Sequence, residues 1–116
     1  MRIELKGRNV PVSDDVREYV AKRFAKVGRQ VSELAVLEVE IHKERNPSNP
    51  DCFVAEATLY VKGTTLRARE ADRDLRHAIH LMEEELSRQV KRHRDKRRAR
   101  RVARAASPRD GIQPSF

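Results

Sequence analysis

The chain reads as a two-layer α+β sandwich of order β-α-β-β-β-α, a four-stranded sheet with two helices packed on one face. Three observations predict it. Polar and apolar residues alternate with a period of two in four short segments. Apolar residues recur at three- and four-residue spacing in two longer segments. The last three strands are joined by connections short enough to make them antiparallel neighbours.

Arg2-Ile3-Glu4-Leu5-Lys6 is the first strand, with Ile3 and Leu5 facing the core, and Gly7-Arg8-Asn9 breaks it. Ser13 is placed to cap a helix, and Asp14 and Asp15 sit in its first turn, where the helix dipole favours negative charge. Val16, Tyr19, Val20, Phe24 and Val27 give that helix one apolar stripe over residues 14–27, and Gly28 marks its expected end. Leu37, Val39 and Ile41 alternate with Glu38, Glu40 and His42 in a second strand, and Arg45 to Asp51 is a Pro- and Asn-rich loop. A third strand runs from Phe53 to Lys62, and a turn at Gly63-Thr64 leads into a short fourth, Leu66-Arg67-Ala68-Arg69. From Asp72 the period becomes helical. Leu75, Ile79, Met82, Leu86 and Val90 form a stripe with His93 at its edge, and no Gly or Pro interrupts before Pro108. The second helix therefore runs from about 72 to at least 95, can continue through Ala106, and outruns the sheet beneath it.

Charge divides the chain unevenly. Residues 1–87 hold fifteen Lys/Arg against sixteen Asp/Glu, whereas residues 88–116 hold eleven against two. The basic excess thus lies in the last quarter, which points to a polyanionic partner. Beyond Arg88 the basic residues surround the helix rather than line one side, because the apolar stripe has run out. Like charges at this density weaken an isolated helix, so the segment calls for neutralising phosphates. A membrane-surface helix would need an apolar face opposite the charge, which residues 91–104 lack, and no apolar run spans a bilayer. Lys22, Arg23, Lys26 and Arg29 form a second basic cluster off the stripe of the first helix; with both helices on one sheet face it adjoins Arg88 and Arg92. The Glu84–Arg88 spacing predicts one i,i+4 ion pair.

Catalysis has little foothold. No Ser/His/Asp arrangement, carboxylate dyad or phosphate-cradling glycine loop stands out. Cys52 alone makes no internal disulfide and is expected to be a buried or half-buried filler. His77, His80 and Glu84 share a helix face but lack ligands from a second element, so no metal or other cofactor is expected. Aromatic residues are 4% of the chain with no Trp, so phosphate contacts and RNA shape should lead over base stacking. Tyr60 falls on the uncovered sheet face.

Gly7-Arg8-Asn9, the Val16–Tyr19–Val20 helix, Phe53-Val54-Ala55-Glu56-Ala57, Leu66-Arg67-Ala68, Asp74-Leu75, Ala78-Ile79 and Arg88-Gln89 together resemble the ribosome hibernation-promoting factors, or ribosome-associated inhibitors. The resemblance covers residues 1–98 and implies a ribosome-binding domain there; residues 99–116 read from their own composition as a basic, flexible tail. It implies binding to small-subunit ribosomal RNA in the decoding region, over the mRNA channel and tRNA sites, and inhibition of translation in stressed or stationary bacterial cells. By position, the family's RNA-facing residues fall on Arg23, Lys26 and Arg29 of the first helix and on Arg88, Arg92 and Lys96 of the second. The charge pattern adds Lys91 and Arg97. Leu75-Arg76, His80 and Glu85 depart from the family's usual residues. Long members add a linker and a ribosome-pairing domain, so this chain reads as a short form or the N-terminal part of a long one. The expected protein is cytoplasmic, not an enzyme, monomeric off the ribosome, and has no membrane or small-molecule partner. Its rivals are a general double-stranded RNA binder and an adaptor docking an acidic protein.

Overall fold

A computed structural model of the chain describes residues 1–45, 48 and 50–106. Its elements are β1 (Arg2–Arg8), α1 (Asp14–Gln30), β2 (Val36–Lys43), β3 (Phe53–Val61), β4 (Thr64–Asp72) and α2 (Leu75–Ala106). The order is the expected one, and the strands lie as β1-β2-β3-β4 in one sheet. β2–β3 and β3–β4 are antiparallel, while β1 and β2 are parallel because the chain returns through α1 between them. Both helices bury their stripes on one sheet face. Val20, Phe24 and Val27 of α1 and Ala78, Ile79, Met82, Leu86 and Val90 of α2 close over Leu37, Val39, Ile41, Ala55, Ala57, Leu59 and Ala68.

The local chemistry explains most element ends. Ser13 caps α1, its Oγ accepting from the Val16 amide at 3.2 Å. The helix passes through Gly28 to Gln30, three residues beyond the expected stop. Gly28 is not in the left-handed conformation that ends helices, and a Cβ there would meet Met1 Cε at 3.4 Å, an ordinary contact, so the helix runs through it without a turn. β1 likewise runs past the expected break to Arg8. Gly7 is needed for close approach, since a Cβ would sit 2.5 Å from the Val10 carbonyl oxygen, and Asn9 takes the positive φ of 60°. The β3–β4 turn is Lys62-Gly63, one residue earlier than expected, with Gly63 at φ 82°, and the lengthened β4 pairs with all of β3.

α2 begins at Leu75 rather than about 72, because Asp72 Oδ2 accepts from the Asp74 amide and the Ala78 amide donates to the Asp74 carbonyl. The helix continues to Ala106. Thirty-two residues make a rod of about 48 Å, and every residue from Asp95 to Ala105 is exposed. The molecule is consequently 65 × 29 × 17 Å, with a radius of gyration of 18.6 Å against about 13 Å for a compact chain of this size. Of the expected loop, residues 46, 47 and 49 lie outside the described part, as does the tail from Ser107 to Phe116. Cys52 is half-buried and its carbonyl accepts from the Glu44 amide. Among the described residues no helix is long and apolar enough to cross a membrane.

Candidate nucleic-acid interface

The packing of α1 beside α2 brings two basic segments together. Lys22, Arg23 and Lys26 rise from the outer side of α1, where Val20, Phe24 and Val27 are turned inward. Glu83, Glu84, Ser87 and Arg88 rise from the matching side of α2, and the seven side chains line one open groove of about 540 Å3. Arg23, Lys26 and Arg88 thus meet as expected. Arg29 is exposed in the last turn of α1, outside that lining.

The groove is not purely cationic. Arg23 Nη2 donates to Glu83 Oε1 at 3.0 Å and also meets His80 Nδ1. Glu83 is almost fully buried, and its second oxygen accepts from Ser87 Oγ at 2.6 Å. Arg23 is therefore a clamp between the helices as well as a cation at the groove, a double use that family correspondence alone did not reveal. Lys22, adjacent in sequence, carries no such tie and joins the lining although the family correspondence passed it over. Tyr19 links the helices further along, its hydroxyl donating to the Arg76 carbonyl while the Arg76 guanidinium lies 5.2 Å from the ring.

Arg88 does not form the expected pair with Glu84. It turns one residue further and binds Glu85 through Nε at 3.1 Å and Nη2 at 2.6 Å, whereas Glu84 lies 3.6 Å from His80. Positions three and four apart are both neighbours on a helix, and the fork of the guanidinium favours the two-point contact. The Arg88 hydrogen bonds, helped by Gln89 and by the charge of Arg92, hold the Glu85 carboxyl below its ordinary range. In return Glu85 raises the Arg88 guanidinium above its usual value. Arg88 is therefore cationic at any working pH, but phosphate must compete with Glu85 for it.

Farther along α2, Lys91, Arg92, Lys96 and Arg97 are exposed. Arg97, Arg100, Arg101 and Arg104 flank one cleft of about 190 Å3 on the projecting arm. Where the arm leaves the body, a cavity of about 290 Å3 has Val31, Leu66 and Val90 on its apolar side and Arg94, Arg97 and Arg101 on its basic side. His93 Nε2 and Arg94 Nε are buried there without hydrogen-bond partners among the described residues. Of this set only Arg97 was singled out from the sequence. The others were visible as charge, but which of them share a cleft depends on the helix continuing beyond residue 98.

The opposite face of the sheet is a mosaic of both signs, with Glu38, Glu40 and Glu56 flanked by Lys6, Arg67 and Arg69 in register. Tyr60 is exposed there, its hydroxyl donating to Glu38 Oε1 at 3.1 Å, and that carboxylate raises the phenol above its ordinary range. The strongly cationic surface is the helix layer and its extension.

Comparison with known proteins identifies the fold and the family. The chain is 29% identical over 96 residues to the ribosome hibernation promoting factor of Salmonella typhimurium, covering 83% of this chain and 96% of that protein. It is 31% identical over 96 residues to the ribosome hibernation promotion factor of Staphylococcus aureus, but spans only 48% of that protein. It spans 50% of the Picosynechococcus factor, at 27% identity. Among solved structures, the N-terminal domain of Thermus thermophilus Protein Y superposes with a TM-score of 0.70 at 31% identity, over 80% of this chain and 99% of that domain. Residues 3–98 match the family described as Sigma 54 modulation protein / S30EA ribosomal protein, and the chain belongs to that family.

Proposed function

We propose that this chain is a ribosome hibernation factor that binds ribosomal RNA of the small subunit in the decoding region and silences translation by occupying it. The observation that carries this is the concentration of basic side chains at the α1–α2 groove and on the projecting end of α2, with exposed Lys91, Arg92 and Lys96 between them, in a chain whose relatives are named as hibernation factors. The body is almost neutral and turns its stripes to the core, which leaves Lys91, Arg92, Lys96 and Arg97 exposed for a partner, with Arg88 joining them once phosphate displaces Glu85. Phosphates suit them, since arginine binds phosphate oxygens in a two-point fork and an exposed cation loses little hydration in the exchange. The mechanism is occupancy: a rod held along the RNA by several ionic contacts excludes mRNA and tRNA without any bond being made or broken. On this reading the protein works in the cytoplasm and is a monomer when off the ribosome.

Sedimentation with purified ribosomes tests it. The protein should travel with small subunits, and prior loading with mRNA and tRNA should displace it. Replacing Arg88, Arg92 and Lys96 together with Glu should abolish inhibition of a translation extract while the far-ultraviolet dichroism stays unchanged. Inhibition that survives the triple change would remove these residues from the interface. Equal competition by a plain RNA duplex would instead favour a general duplex binder, and cosedimentation resistant to ribonuclease and high salt would favour an acidic protein partner.

A further inference from the structure

We propose that Glu40, His42 and Glu56 form a binding site for one divalent first-row transition-metal ion on the uncovered face of the sheet. β2 and β3 pair so that Glu40 stands directly opposite Glu56, and His42 is two residues along β2 from Glu40. Val39 and Ile41 point into the helix layer, as do Ala55 and Ala57, so the three intervening side chains share the other face. One carboxylate oxygen of each Glu and one ring nitrogen of His42 lie within 4.8 Å of one another.

Two independent features point to a cation there. Carboxylates directly opposed across a strand pair repel each other unless a positive charge sits between them. His42, although on the uncovered face, is only 8% exposed, and its Nδ1 is buried with no hydrogen-bond partner among the described residues. Its Nε2 has Glu44 Oε1 at 3.8 Å, too long for a hydrogen bond. A buried imidazole lacking a donor or acceptor for its Nδ1 is unusual in a folded protein and is relieved when a nitrogen lone pair meets a metal.

One nitrogen and two oxygen donors without a thiolate suit Zn2+ and its first-row neighbours, with water filling the remaining positions. Mg2+ and Ca2+ prefer all-oxygen shells and fit less well. The nearby cations set the limit on affinity. Arg8 lies 3.5 Å from Glu40 but is itself largely exposed, so it can swing away at little cost. Lys6 stands opposite Glu40 in β1 and Arg69 opposite Glu56 in β4, and Arg69 leans 3.6 Å from Glu44. On α2, by contrast, His77 is already paired with Asp72 at 3.1 Å and His80 lies against Arg23, so neither is poised for a metal.

The test is calorimetric titration of the full chain with Zn2+, run beside thermal melts. One ion per chain should bind and raise the melting temperature, with Mg2+ in excess failing to compete. Glu56→Gln and His42→Gln should each weaken Zn2+ binding by at least about tenfold, whereas His77→Gln with His80→Gln should leave it unchanged. Imidazole resonances of His42 should shift on Zn2+ addition. Should His42→Gln fail to fold, Glu40→Gln and Glu56→Gln carry the same test. Zn2+ binding that is absent, or equal in wild type and in the Glu variants, overturns the proposal.

Discussion

Arg23 is held from two sides, by the Glu83 carboxylate and by the His80 ring. Its Nε is buried without a hydrogen-bond partner among the described residues, so the guanidinium depends on Glu83 for most of its compensation. Glu83 in turn is almost buried and accepts from Ser87. Removing this carboxylate strands a half-buried cation and a hydroxyl together. Glu83→Ala should therefore destabilise the fold by about 1.5–3 kcal/mol, read from urea denaturation, with Ser87→Ala costing less. An equal loss in both variants would mean that Arg23 contributes nothing to the clamp. Little of this was legible in the sequence. Glu83 belongs to a Glu83-Glu84-Glu85 run in which all three look alike, and only the facing of α1 decides that the first pairs across helices, the second meets His80 and the third takes Arg88.

At the scale of elements, the start of α2 carries a titratable cap. Asp72 accepts from the Asp74 amide and lies against His77, and these contacts, the amide first, hold its carboxyl below the ordinary range. A carboxylate with a lowered folded-state pKa stabilises the fold fully above its unfolded value of about 4 and loses that contribution as pH falls through the folded value. Asp72→Asn should therefore lower the melting temperature at neutral pH and flatten its decline below about pH 4. Melting curves between neutral and strongly acidic pH check this, and parallel curves for the two proteins would exclude the cap. The strands and both apolar stripes were legible because periods of two and of three to four directly encode which face is buried; Leu37, Val39 and Ile41 fall as the alternation required. Gly28 misled because a glycine marks a helix end only through a positive φ, which Gly28 does not adopt. The Glu40–Glu56–His42 cluster was invisible because cross-strand register does not exist in a linear reading.

For the whole molecule, fold and grip are separable. The core ends at Val90, and every residue from Asp95 to Ala105 is exposed. A chain truncated after Arg98 loses Arg100, Arg101, Arg104 and Arg109 but no residue of the core. Its melting temperature should match that of the full chain, while its ribosome affinity falls and its salt dependence shallows. If Arg100, Arg101 and Arg104 of the helical arm each neutralise a phosphate, the slope of log affinity against log salt should drop by about two to three. The full chain, contacting roughly six to ten phosphates, should lose about 10³–10⁵ in affinity between 50 and 200 mM salt. An unchanged slope after truncation would mean that the arm extends past its partner. The charge asymmetry behind this was plain in the sequence, whereas the rigid helical form of residues 99–106 was only one of two readings there.

The same projecting rod governs how the protein behaves in free solution. A body 65 Å long and 17 Å thick drags and tumbles like a much heavier sphere. On a sizing column it will run ahead of globular standards of its 13.5 kDa mass and imitate a dimer. Its rotation is anisotropic, so amide relaxation will depend on the angle each N–H bond makes with the long axis. Self-association is therefore properly judged by light scattering or sedimentation equilibrium, where mass and shape are separated.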